Sequence, residues 1–378
     1  MMISWLFPPT LTLPLQRGRE FIGTFAKASL TRYCKHNMSS QIQKTILLDH
    51  GSGGLASQEL ISSLFLKHLG NKVLAALEDS AVMENQPGRL AFTTDSYVVD
   101  PIFFPGGDIG TLAVHGTIND LAMRGARPLC LSLGLILEEG LPLADLERII
   151  ISIKEASLAS GVPIVTGDTK VVPRGKADKI FINTSGIGLV ADGVEISATR
   201  AKAGDKIILS GSMGDHGITI MTRRAGIALA GDLRSDSMAL HVMVQKLLAG
   251  LPEGTIHTLR DPTRGGVATS LCEIAGSSGL MIEIEEARIP VRVEVRAACE
   301  ILGLDPLYLA NEGKCLTLVA PEVADQALAL MQACPEGTEA AIIGTATSGG
   351  AGRVVLKTTI GGTRVVTPLH GAPLPRIC

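Results

Sequence analysis

The stretch LPLADLERIIISIKEASLASGVPIVTGDTKVV, residues 141–172, changes its hydrophobic period halfway along. Leu143, Leu146, Ile149, Ile150 and Ile153 recur at helical spacing, which gathers them on one face of a helix. Pro142 marks its start and Gly161 its stop, because proline fits a first helical turn and glycine a left-handed cap. From Pro163 to Val172 the chain turns apolar and β-branched, the pattern of a buried strand. Helix followed directly by strand is the repeating half-unit of an α/β fold.

The same alternation extends both ways. Arg89–Val99 (RLAFTTDSYVV), Cys130–Leu137 and Lys179–Val190 read as strands, and Gly110–Arg124 reads as a helix. A shorter strand is expected at Lys44–Leu48. Residues 192–204 read as a connector. A second α/β half follows, with a strand at Asp205–Ser210 and helices near Ser235–Ala249, Thr263–Ala275, Val293–Leu302 and Glu322–Ala333. A hairpin is expected over Val354–Val366, around Gly361-Gly362. The fold class is therefore mixed α/β (α+β) in two domains. Their expected bounds are 41–197 and 198–366, with an unstructured extension over 1–40 and a tail over 367–378.

The 378 residues suit two or three domains at about 150 residues each. Hydrophobic residues make up 46% and charged ones 19%, enough to bury a large core. Aromatics are only 3% and the net charge is −3. Neither supports a base-stacking surface or a basic field, so no nucleic-acid or lipid partner is expected. No run of about 18 uncharged apolar residues is present, so no membrane span is expected. The seven cysteines form no C-x-x-C pair, and their odd number and wide spacing read as reduced thiols of a cytoplasmic protein. In residues 1–37 the basic residues follow the apolar run, the reverse of a secretory signal. They read as an extension ahead of a natural start at Met38, with a transit peptide as the alternative.

Chemistry concentrates in glycine turns and aspartates. Asp79, Asp95, Asp120, Asp168 and Asp261 fall at expected strand ends or beside glycines. Carboxylates placed so can bind Mg²⁺ bridged to phosphates; singly, each reads equally well as a turn or cap residue. Gly51-Ser52-Gly53-Gly54 can cradle phosphate with backbone amides, or form a plain tight turn. There is no Walker A sequence, so ATP would need another scaffold. Thr263-Arg264-Gly265-Gly266 opens an expected helix, where Arg264 can meet an anion. Lys170 and Glu312 stand beside glycine turns, where burial can tune them for proton transfer. Cys378 ends a proline-rich, aperiodic tail, TPLHGAPLPRIC, whose polyproline-like reach is roughly 35 Å. A thiol on such an arm reads as a carrier, or as an incidental surface thiol.

Several segments together resemble the HypE family of hydrogenase maturation proteins, in the superfamily of aminoimidazole ribonucleotide synthase and selenophosphate synthetase. They include HGSGG (50–54), FTTDSYVVDPIFFPGGDIG (92–110), GTINDLA (116–122), IVTGDTKVV (164–172), SGSMGDHG (210–217), RDPTRGG (260–266), ANEGK (310–314) and PLPRIC (373–378). The likeness runs from about Lys44 to the end; residues before Met38 have no counterpart, and His115 is given no role. The resemblance implies a homodimer whose N-terminal halves build a shared β-barrel, with a flexible C-terminal tail. It implies ATP and Mg²⁺ as cofactors, with Asp79, Asp95, Asp120 and Asp168 as metal ligands. Gly51, Ser52, Gly53, Gly54, Asp95, Asn119, Asp120, Thr166, Gly167, Asp168, Arg264 and Gly265 would bind the nucleotide. Cys378, Lys170 and Glu312 would be catalytic, the last two as a proton-transfer pair. The activity implied is ATP-dependent dehydration of a carbamoyl group on Cys378 to a thiocyanate. The carbamoyltransferase HypF would load it, and a HypC–HypD complex would receive the nitrile as cyanide for a nickel–iron hydrogenase. A soluble-substrate synthase, a non-enzymatic docking module and, distantly, a nicotinamide dehydrogenase are the competing readings.

Overall fold

A computed structural model of the chain describes residues 45–78, 80–84, 86–227, 231–350, 352–369, 371 and 376–378. The first half opens with two short helices, α1 (Leu55–Leu60) and α2 (Leu66–Leu69). It continues through β1 (Arg89–Tyr97), a two-residue hairpin β2–β3 (Phe103–Phe104, Gly107–Asp108), α3 (Ile109–Ala122) and β4 (Arg127–Glu138). It closes with α4 (Leu143–Ser160), β5 (Ile164–Val172) and β6 (Ile180–Val190). The second half runs β7 (Lys206–Leu209), α5 (Asp215–Ala225), α6 (His241–Gly250), β8 (Ile256–Arg260), α7 (Gly266–Ser278) and β9 (Met281–Glu285). Then come α8 (Val293–Leu302), β10 (Leu316–Val319), α9 (Ala324–Gln332), β11 (Ala341–Thr347), β12 (Val354–Lys357) and β13 (Thr363–Val366).

Among the described residues the strands form two larger sheets, in the orders β1-β6-β4-β5 and β13-β12-β9-β11-β7-β10-β8. In the first, β4 and β5 are parallel because α4 carries the chain back between them; the other pairs are antiparallel. Leu146, Ile149, Ile150 and Ile153 of α4 are fully buried, and Gly161 caps the helix at φ +68° as expected. Asp108 caps α3, its carboxylate accepting from the amides of Gly110 and Thr111.

Alternation along β1 decides which way its side chains face. Tyr97 is buried and Thr93 reaches Asp120 on α3, so Thr93, Asp95 and Tyr97 share the α3 side of the sheet. The opposite face is open, with Leu90 63%, Phe92 71% and Ile136 of β4 44% exposed around a polar middle of Thr94, Ser96 and Asn183.

Three expectations are corrected. Of the expected strand Lys44–Leu48, the described part from Thr45 on is no strand: Thr45 makes an isolated bridge to Pro142, and Leu48–Gly51 winds into a 3₁₀ turn. Helix α5, with its polar and threonine-rich sequence, was not foreseen. The tail is not solvated to its end, since Ile377 is 4% exposed and joins the first-half core.

Ile153→Ala should cost about 2–5 kcal/mol by leaving a cavity under α4. Urea unfolding with an unchanged m-value checks this; a loss below about 1 kcal/mol would show that the core repacks.

Candidate functional site

Cys378 lies in a cavity of about 230 Å³ lined by residues of both halves: Asp95 and Tyr97 from β1, Asp120 from α3, Asp261 and Arg264 from the loop after β8, and Glu312. The arm reaches it by pairing its main chain with the end of β1. The amides of Val98 and Asp100 donate to the main-chain oxygens of Cys378 and Arg376, at 3.1 and 3.3 Å. Arg376 ion-pairs with Asp178 at 2.9 Å, and Arg224 donates to the Arg376 carbonyl at 2.8 Å.

The ANEGK turn positions Glu312. Asp236 accepts from the amides of Glu312 and Gly313, at 3.1 and 3.4 Å, and is itself paired with buried Lys314 at 3.4 Å. Gly313 is required there because a Cβ would collide with the Asp236 carbonyl oxygen. With its backbone so fixed, the Glu312 side chain points inward, 4% exposed, and its Oε1 has no hydrogen-bond partner among the described residues.

Carboxyls crowd this cavity with few cations. Burial, then the charges of Asp236, Asp261 and Asp95, hold the Glu312 carboxyl well above the ordinary carboxylate range. Burial and the charge of Asp120 push Asp261 up to about 7. Asp120 is raised by burial, against the hydrogen bond it accepts from Thr93 at 2.8 Å. Burial first, then the charge of Glu312, raises the Cys378 thiol strongly. A neutral thiol beside a carboxyl that ionises only with difficulty can be both shielded from solvent and relieved of a proton when its surroundings change.

A second cavity, of about 280 Å³, lies at the β5 edge of the first sheet, lined also by Leu133 and Leu135 from the rows of Asp95 and Tyr97. Its lining includes Gly51, Gly53, Thr166, Gly167, Asp168 and Lys170. Gly51 approaches β5 so closely that a Cβ would lie 2.5 Å from the Val171 nitrogen. Ser52 and Gly54 are exposed beside this loop. Gly265, at φ +78°, caps α7 beside the first cavity.

The expected site residues thus fall into two groups. Strand register sets Asp168 and Lys170 apart from Asp95. Asp95 pairs with Thr184, Thr184 with Leu133, and Leu133 with Gly167. Asp168, one residue on, therefore faces away from Asp95. Lys170 follows Asp168 on that far face and ion-pairs with it at 3.4 Å, both side chains exposed. Lys170 and Glu312 are accordingly not a pair within one chain, and only Glu312 shares a cavity with Cys378.

Of the four aspartates expected to hold metal, Asp95 and Asp120 share the Cys378 cavity among the described residues. Asp79 lies outside the described residues, Asp168 is on the far face, and no group of three or more His, Cys, Asp or Glu arranged for a metal occurs among the described residues. Asp95 and Asp120 remain a fitting pair for Mg²⁺ on a nucleotide, because Mg²⁺ needs few protein carboxylates when phosphates and water complete its shell.

Asn119 faces neither cavity. Its amide donates to Met238 and Glu312 carbonyls at 3.0 and 3.3 Å and its oxygen accepts from Leu240 at 2.8 Å, so it ties the halves together. Sequence reasoning missed His216, Arg224 and Asp178, which hold the arm; only the SGSMGDHG segment drew notice to the first.

Gly313→Ala should destabilise the protein by about 1–3 kcal/mol by forcing the turn against Asp236. A thermal midpoint unchanged from wild type would show that the turn yields freely.

The N-terminal and C-terminal domain models of AIR synthase related proteins match residues 77–190 and 202–357. The carbamoyl dehydratase HypE of Azotobacter vinelandii is 54% identical over 329 residues, covering 87% of this chain and 96% of that protein. Among solved structures, a hydrogenase maturation protein HypE in complex with ATP matches with a TM-score of 0.85 and 55% identity, over 88% of this chain and all of that one. A HypE chain from a HypE–HypF complex matches with a TM-score of 0.72 and 44% identity, over 82% and 99% of the two chains. With both domain models and such close relatives matched nearly end to end, the chain belongs to the HypE family of hydrogenase maturation proteins, within the AIR synthase superfamily.

Proposed function

We propose that this chain is an ATP-dependent carbamoyl dehydratase that carries its substrate on Cys378. The observation that carries the reading is the placement of that half-buried sulfur in a cavity beside the buried Glu312 carboxyl, whose Oε1 has no hydrogen-bond partner among the described residues. Ordinary surface thiols are not drawn into carboxyl-lined cavities by their own backbone.

On this reading Cys378 receives a carbamoyl group from the carbamoyltransferase HypF while the arm is extended, and the arm then docks. The carbamoyl oxygen attacks the γ-phosphorus of ATP, ADP leaves, and a nitrogen proton is lost. Loss of the second nitrogen proton forms the nitrile as the carbon–oxygen bond breaks and phosphate departs. Cys–S–C≡N, ADP, phosphate and the released protons balance the carbamoyl thioester and ATP. Glu312 is the assigned base, its raised proton affinity suiting it to take a proton from nitrogen. Exclusion of water protects the thioester, and conversion of oxygen to phosphate supplies a leaving group. Mg²⁺ bound by Asp95 and Asp120 with the nucleotide would neutralise phosphoryl charge.

Lys170, Asp168 and the Gly51–Gly54 loop are assigned to nucleotide binding. By register Asp168 and Lys170 are on the sheet face that also carries exposed Leu90, Phe92 and Ile136, and the glycine loop packs beside them against β5. An open sheet face that exposes Leu90, Phe92 and Ile136 suits burial by a second copy, and a homodimeric barrel closed there would bring the two groups of residues together between subunits. The proposed lobes are 41–197 and 198–366, with 367–378 as the moving arm. HypF, named in a related complex, and a HypC–HypD acceptor are the proposed partners, in the cytoplasm. Among the described residues no helix is long and apolar enough to cross a membrane.

Glu312→Gln should still accept the carbamoyl group but lose phosphate release from ATP by about 100-fold or more. In wild type the rate should rise with pH over a range displaced above that of an ordinary carboxylate, since the base must ionise first. Dehydration at wild-type rate in Glu312→Gln would remove Glu312 from this role.

A further inference from the structure

The docked arm is held at a buried histidine that the chemistry above does not use. His216, fully buried at the start of α5, places its Nε2 2.8 Å from the Ile377 carbonyl oxygen. A carbonyl only accepts, so Nε2 carries the proton. Nδ1 lies 2.8 Å from the Ser235 hydroxyl, and that hydroxyl oxygen accepts from the Ser237 amide at 3.2 Å. Ser237 N–H, Ser235 O–H and His216 Nε2–H thus point one way, toward the arm, and fix the tautomer without any charge. Phe104 meets the ring edge-on, with centroids 5.6 Å apart, and fixes its plane.

Every hydrogen bond described for the last three residues is made by main-chain atoms or the Arg376 side chain. Val98, Asp100, Arg224 and His216 hold main-chain oxygens, and the Ile377 side chain fills the core. Among the described residues the sulfur itself makes none. A grip of this kind is indifferent to what the sulfur bears.

We propose that His216 is the positioning residue of the carrier arm: by donating to the Ile377 carbonyl it sets where Cys378 stops, whether the sulfur is free or loaded. The inference rests on the carrier reading for its purpose, but docking can be tested without it.

The test is peptide-resolved alkylation of the resting full-length protein by iodoacetamide. In wild type Cys378 should react slowly, like buried Cys299 and Cys315. His216→Leu, which removes the donor, should speed Cys378 about tenfold, the worth of one buried hydrogen bond, with Cys299 and Cys315 unchanged. His216→Gln, whose amide can still donate, should recover most of the protection. Ile377→Asp, which alters only the arm, should expose Cys378 without touching the body's fold. An unchanged Cys378 rate in both His216→Leu and Ile377→Asp would overturn the proposal, as would a rise matched by Cys299 and Cys315. With carbamoyltransferase, carbamoyl phosphate and ATP, His216→Leu should load normally but lose water more slowly. If wild type takes up no carbamoyl group yet shows the alkylation pattern, the carrier reading falls and the latch stands.

Discussion

The exchange of hydrogen bonds between the end of β1 and the last three residues is the contact on which the site depends. Val98 and Asp100 offer amides beyond the point where β6 can use them, and the arm supplies the main-chain oxygens. Burying main-chain groups without partners is costly, so the arm's end and the exposed end of β1 each satisfy what the other leaves open. That pairing brings the Cys378 thiol against Glu312 and completes the wall of the carboxyl cavity.

Such a cavity is poorly solvated and short of cations. Asp95, Asp120, Asp261 and Glu312 share it with Arg260 and Arg264, and Arg264 stands 3.9 Å from Asp95. Like charges held together in low dielectric favour protonation, which is why burial and neighbouring carboxylates raise Asp120, Asp261 and Glu312 together.

Much of the fold was legible because its strongest elements have clean periods. The apolar stripe of α4 and the Pro142 and Gly161 boundaries determine that helix with no tertiary information, and β1, β4, β5 and β6 are long enough to stand out. Short strands such as β8 and β10, of five and four residues, carry too little pattern, and α5 mixes buried polar residues with its apolar ones. The site was legible in kind and not in arrangement. Asp95, Asp120, Arg264, Glu312 and Cys378 do converge, but Asp168 and Lys170 do not join them, because strand register, invisible in sequence, turns them to the other face. His216 was hidden for a different reason: a buried histidine bonded to a backbone carbonyl has no sequence partner to betray it.

The central claim is that the Cys378 sulfur carries the group that is transformed. It is tested most directly by following the mass of the C-terminal peptide in protein incubated with carbamoyltransferase, carbamoyl phosphate and ATP. A carbamoyl adduct should form on Cys378 and then lose one water, only as ATP is consumed. An adduct confined to any other cysteine, or water lost without ATP hydrolysis, would contradict it.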